Sequence, residues 1–288
     1  MVEGRSAEGS NPKDVRRGLT VEQVLLAKAY LIDAMQSEIS FLARERSTSL
    51  HARQRTIATA VAYFWRFYLV HSFCDHEPVA VAITCLSLAS KVEENPIHDH
   101  GKLLGLAARL GARVYGDSSF ALREDALLPT ELRVMEELGF DLRPFDPYSS
   151  LRRIFAETPD TSTDEMFTMA WGLLNDSLST PLCVTSSAEA TAAAAAAIAA
   201  ELVDTDPSTL RGLENEEIDP DAVALAASEM LRYRETFAES GVRDERGGGE
   251  GGGGGGGGSR GTRRRTLAGR DEEAGRIFAR IRREAGRP

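Results

Sequence analysis

Residues 86–96 read LSLASKVEENP. They close a segment, PVAVAITCLSLAS (78–90), that is apolar or small almost throughout. A helix that is apolar all round belongs at the centre of a bundle, wrapped by other helices. His76-Glu77-Pro78 starts it, with proline in the first turn and an acid suited to the helix dipole. Asn95-Pro96 ends it. A lysine and two glutamates thus crowd the last turn of a helix that is otherwise buried. One reading makes Lys91 a helix-end cation beside the terminal carbonyls, with Glu93 and Glu94 in solvent. The other makes this turn the tip of a buried post that emerges at a docking surface.

The flanking sequence supplies the wrapping helices. Thr20 and Gln23 have capping-box spacing. Val24, Lys28, Leu31, Met35, Ile39 and Leu42 then recur every three or four residues, with Leu25 and Ile32 widening the stripe. A second helix is expected from about Ala52 to Val70, with Ile57, Val61, Phe64 and Tyr68 buried. A fourth runs from Lys102 to Val114 through Leu103, Leu106 and Leu110. A fifth is expected from Pro129 to Gly139, with Leu132, Met135 and Leu138 turned inward. No segment alternates as a half-buried strand does.

Residues 146–238 repeat the plan, with helices expected at 146–157, 164–179, 187–203 and 219–238. Trp65 and Trp171 each sit in a helix followed by a short loop and an all-apolar helix. In the second half that helix is ATAAAAAAIAAEL, whose alanines let neighbours approach closely. The expected organisation is an N-terminal segment (1–18) without order, an N-terminal helical repeat (19–144), a second repeat (145–240), a glycine-rich linker (241–262) and a basic tail (263–288). Residues 247–258 are glycine except Glu250, and no strand followed by Lys-Ser/Thr marks a phosphate loop. Ile277, Phe278 and Ile281 fall on one side of a short basic helix in the tail, which is expected to be a solvated appendage.

Charge narrows the partners. The chain carries −10 formally, but residues 259–288 hold ten arginines against four acids, so the first 258 residues carry −16. So acidic a body repels nucleic-acid phosphate, and direct nucleic-acid binding is not expected from it. No run of 18 apolar residues predicts a membrane span, and MVEGRSAEGSNPKD has no apolar core of a secretory signal. Three scattered cysteines, Cys74, Cys85 and Cys183, fit reduced thiols.

Catalytic and metal motifs are absent. His71, Cys74 and His76, and the pair His98 and His100, lack a four-ligand zinc spacing. No nucleophile elbow, Walker motif or His-Glu-x-x-His occurs. Glu93 and Glu94 point about 100° apart on a helix, so they do not converge on one substrate. No catalytic residue, metal ligand or cofactor is expected.

RQRTIATAVAYFWRFYL (53–69), PVAVAITCLSLASKVEE (78–94) and LPTELRVMEELGFDLRPFDPYSSL (128–151) resemble the cyclin box. IATA-x-x-YF-x-RFY and AWGLLNDSLSTPLC (170–183) are similar to the cyclin C branch, the cyclins of the Mediator kinase module. The resemblance spans residues 14–238. It implies an all-α fold of two tandem five-helix repeats with a Gly/Arg-rich tail. It also implies a nuclear regulatory subunit, not an enzyme, that binds and activates a cyclin-dependent kinase, and it extends the partner expectation to Mediator kinase-module subunits. Lys91 matches the family lysine of the Ala-Ser-Lys turn, and Glu131 the glutamate of the fifth helix, the pair that faces the kinase. Val92, Glu94, Leu88 and Met135 match neighbouring contact positions. The family's N-terminal Phe-Trp-x-Ser-Ser-His pattern does not occur here, nor does the Met-Arg-Ala-Ile-Leu patch of cell-cycle cyclins, so recruitment through that patch is not expected. Glu201-Leu202 stands where the second repeat would need a lysine. Alternative readings are a cyclin of a general-transcription-factor or elongation kinase, or a DNA-binding basal-factor-like cyclin fold.

Overall fold

Among the described residues, every regular element is a helix. The computed structural model describes residues 13–14, 18–43, 50–117, 120–156, 163–206, 209–210, 218–238 and 273–285. The helices are α1 (Val21–Ala43), α2 (Leu50–Val70), α3 (Pro78–Val92), α4 (His100–Tyr115), α5 (Glu124–Glu137), α6 (Pro147–Ala156), α7 (Thr163–Ser177), α8 (Leu182–Thr185), α9 (Ala188–Leu202) and α10 (Pro220–Ala238). A further helix, α11, spans residues 273–284. The expected N-terminal segment and glycine-rich linker lie mainly outside the described residues.

Local chemistry sets the helix starts. Thr20 N–H donates to Gln23 Oε1 and Gln23 N–H donates to Thr20 Oγ1, both at 3.1 Å, a reciprocal capping box. The Glu77 carboxylate accepts from Val79 N–H and Ala80 N–H at the head of α3, where Pro78 holds the first helical position. Asp99 caps α4 and Ser187 caps α9 through their side chains.

The central helix of the first bundle is α3, packed by α2, α4 and α5. From Pro78 to Ser90 only Ala80 escapes full burial. In the second bundle α9 takes the same place, wrapped by α6, α7 and α10, and its alanines from Ala192 to Ala196 are all buried. Residues 211–217 lie outside the described residues.

Both central helices end alike. After α3, Glu94 adopts φ +54°, Asn95 N–H donates to Ser90 C=O and Glu94 N–H donates to Lys91 C=O. After α9, Asp204 adopts φ +53°, Thr205 N–H donates to Ala200 C=O and Asp204 N–H donates to Glu201 C=O. Each is a Schellman ending with an acid in the left-handed position usually given to glycine. The shared register makes Glu201 the counterpart of Lys91.

Three expectations are corrected. The fifth helix begins at Glu124, five residues before Pro129. Proline there deprives only the carbonyl four residues earlier, Asp125, of its helical donor, and that carbonyl lies in the first turn. Leu132 is not inward. Leu127, Val134 and Leu138 are buried, and Glu131 shares their stripe, which rotates Leu128 and Leu132 outward.

The third correction concerns the tail. Residues 273–284 are not a solvated appendage but a docked helix, with Ala274, Ile277, Phe278 and Ile281 buried. The Phe278 ring meets Tyr30 of α1 and Tyr115 of α4 at centroid distances of 6.4 and 5.8 Å. An apolar stripe on a short helix gains more by covering aromatic surface than by hydration.

Candidate functional site

The tip of α3 meets α5 at Lys91. Lys91 Nζ donates to Glu131 Oε1 at 2.5 Å, and Ser87 Oγ, one turn earlier on α3, lies 3.5 Å from Glu131 Oε2. The two ends of the ion pair differ in environment. The Lys91 side chain is 50% exposed, whereas that of Glu131 is 12% exposed. The anion is thus seated in the bundle and the cation stands over it at the rim. An ammonium carries three donors, so the one held by Glu131 leaves others for an acceptor outside the chain.

Glu131 is seated because its neighbours on α5 are core residues. Lys91 is presented because the Schellman ending turns the chain away immediately after it. The family-contact positions then divide. Glu94 is exposed in its left-handed corner, Val92 and Met135 are half-buried, and Leu88 is buried in the core. Leu128 and Leu132, on the face of α5 that also carries Met135, are 73% and 50% exposed. They stand three residues before and one after Glu131. Sequence pattern assigned Leu132 to the core, and only the helical register reveals the exposed apolar pair.

Glu93 is a different kind of residue from Lys91. Its side chain is 3% exposed. It accepts from Thr59 Oγ1 at 2.7 Å and pairs with Arg55 Nη2 at 2.8 Å, both partners lying on α2. Arg55 Nε lies 2.7 Å from Asp146 Oδ2, and Asp146 Oδ1 in turn accepts from Ser149 N–H at the start of α6. The tip of α3 is therefore braced from below by a chain of charges reaching the second bundle. The reading that left both glutamates in solvent holds for Glu94 alone.

Further links join the bundles behind this brace. Trp65 Nε1 donates to Leu178 C=O at 3.2 Å, and Gln36 Nε2 on α1 donates to Asn175 C=O on α7 at 3.4 Å. Behind Trp65 lies a buried cation. Lys28 Nζ sits 4.6 Å from the Trp65 ring centroid and donates to Tyr68 C=O at 3.3 Å. Burial pulls its pKa down to about 7, against the opposing pull of Asp14 and Cys183. All three cysteines are buried free thiols. Among the described residues no group of three or more His, Cys, Asp or Glu side chains is placed to hold a metal ion. No helix among them is long and apolar enough to cross a membrane.

Residues 22–143, which include every side chain of the rim, match the family model described as "Cyclin, N-terminal domain". Cyclin-C1-1 of Oryza sativa subsp. japonica is 30% identical over 224 residues, covering 78% of this chain and 80% of that protein. The chain belongs to the cyclin family, in its C branch. Cyclin-C1-2 of Arabidopsis thaliana is 37% identical over 166 residues, 58% of this chain, and the match spans 60% of that protein's length. Among solved structures, a chain of the yeast RNA Pol II CTD kinase CTDK-1 complex superposes with a TM-score of 0.61 at 20% identity, over 79% of this cyclin and 73% of that chain. That likeness concerns the fold.

Proposed function

We propose that this cyclin is the regulatory subunit of a cyclin-dependent kinase in RNA polymerase II transcription, and that it docks the kinase through Lys91, Glu131 and the exposed leucines of α5. The observation that carries the reading is the preformed Lys91–Glu131 pair at the rim of the first bundle, flanked by Leu128 and Leu132, in a chain of the C branch. Val92, Glu94 and Met135 border the surface, and Leu88 supports it from within the core.

Activation by such a surface is mechanical. The cyclin lends no catalytic group and no cofactor. It binds the active arrangement of the kinase's αC helix more tightly than the inactive one, and only a difference of that kind shifts the equilibrium. The inward αC position completes the kinase's own Lys–Glu pair and orders the nucleotide phosphates. Lys91 supplies a charge-assisted donor at the contact, and Glu131 holds the ammonium in place so that little side-chain freedom is lost on docking.

The second bundle carries Glu201 where the first carries Lys91, so it presents the opposite charge at the same corner and is not the kinase-docking half. The C-branch relationship favours the Mediator kinase-module kinase as partner and the nucleus as the place of action.

Affinity purification of the tagged chain, with identification of the co-purifying kinase and of Mediator subunits, tests the assignment. Lys91→Ala and Glu131→Ala are expected to weaken kinase binding by roughly 2–5 kcal/mol, the range for truncating one member of a buried interfacial charge pair, while the circular-dichroism spectrum stays helical. Unchanged affinity of both variants in calorimetric titration would refute the docking site.

A further inference from the structure

We propose that the face formed by α1 and α4 is a helix-binding groove that the chain closes with its own C-terminal helix, and that the same helix supplied from outside can fill it. This inference is independent of the kinase-docking assignment. α11 buries Ala274, Ile277, Phe278 and Ile281, the i, i+3, i+4, i+7 anchor pattern of an amphipathic helix lying in a groove. The receiving surface is aromatic: Tyr30 and Tyr115 flank Phe278, and Phe120 stacks against Tyr115 at 5.3 Å.

One polar latch sets the direction of the helix. The Arg282 guanidinium lies 5.1 Å from the Tyr115 ring centroid, and its Nη1 is 3.3 Å from Asp117 Oδ2. At the entry to α1, the Arg280 guanidinium of this helix reaches Gly18, which adopts φ +84°. The contact does not seal completely. An open cleft remains between the two surfaces, lined by Tyr30, Arg113, Tyr115, Gly275, Arg276 and Ala279.

These features describe a ligand more than a core element. A twelve-residue helix is marginal by itself in water, so α11 depends on its groove. It is joined to α10 through residues 239–272, which include the glycine run. A tethered ligand acts at an effective concentration on the order of millimolar, so the chain's own copy holds the groove against dilute competitors. The class of partner follows from the side chains: a helix with apolar residues at i, i+1 and i+4 and a basic residue at i+5, after Ile277, Phe278, Ile281 and Arg282.

The test uses the full chain carrying Phe278→Glu and Ile281→Glu, and a fluorescent synthetic peptide of residues 271–288, followed by anisotropy. The peptide is expected to bind this variant saturably and the unaltered chain at least tenfold more weakly, and a peptide with Phe278→Ala should lose binding to the variant. Absence of binding to a variant whose circular dichroism and melting show a folded protein overturns the proposal, as does equal binding to variant and unaltered chain. Should the double variant fail to fold, full-length Arg282→Glu loosens only the latch. Peptide binding to it that is stronger than to the unaltered chain supports the groove, and no gain rejects it.

Discussion

Arg55 and Glu93 form an ion pair at 2.8 Å in which the arginine is partly solvated and the glutamate side chain is 3% exposed. The asymmetry decides what a substitution does. Arg55→Ala leaves a buried carboxylate held by the Thr59 hydroxyl and also releases Asp146. The expected loss is about 2 kcal/mol in urea unfolding, below the full range for a broken buried pair because water reaches the arginine. Glu93→Gln, which keeps an acceptor for Thr59, is expected to lose less.

Leu132 provides a contrast, since it contributes little to the fold of the free chain. Leu132→Ala is expected to leave the urea midpoint almost unchanged and to lower kinase affinity by roughly 1–2 kcal/mol, as removal of an apolar anchor from an interface does. A lowered midpoint with unaltered affinity would place this leucine in the core and not at the partner.

Lys28 makes stability depend on pH. Its pKa falls from 10.5 to about 7 on folding, so between those values the unfolded chain binds more protons than the folded one. Stability therefore rises as pH increases from about 7 toward 10, by up to something on the order of 4 kcal/mol, and this source of slope vanishes below pH 7, where both states are protonated. Lys28→Met is expected to flatten that slope. Equilibrium unfolding at pH 7, 8 and 9 measures it, and equal slopes in both proteins would show that Lys28 does not titrate there.

Gly111 lies where α4 passes under Phe120. A Cβ at this position would fall 2.2 Å from Phe120 Cδ1, and the ring is already held against Tyr115. Gly111→Ala forces that ring outward, and overpacking of this kind costs about 1–3 kcal/mol. A helix normally gains from such a replacement, so a rise in melting temperature would contradict the close approach.

Much of this architecture was legible from the chain alone, and the failures have physical causes. The all-apolar run 78–90 announced a central helix, and Thr20 with Gln23 announced a cap, because both signals are local. On α5 the apolar residues form two adjacent stripes, Leu127–Val134–Leu138 and Leu128–Leu132–Met135. Periodicity cannot choose between stripes one step apart, and the choice depends on which faces α3. Lys91 and Glu131, forty residues apart, came together only through family resemblance, since nothing local links them. The docking of α11 was invisible for a related reason. Its latch joins residues 165 apart in sequence, and a short cationic helix gives no hint of an aromatic cradle made by distant helices. Glu93, in a charged stretch just before Asn95-Pro96, looks solvent-facing until Arg55 and Thr59 are seen beneath it.

The brace from Glu93 through Arg55 to Asp146 has a consequence for how force passes through this molecule. If a kinase helix docks at Lys91 as proposed, its load passes along α3 through Glu93 and Arg55 to the foot of α6, and the two bundles resist it as a single strut. Loosening that joint would leave the proposed docking side chains in place and yet make the lever compliant, a lesion that affinity measurements would miss and phosphorylation rates would reveal.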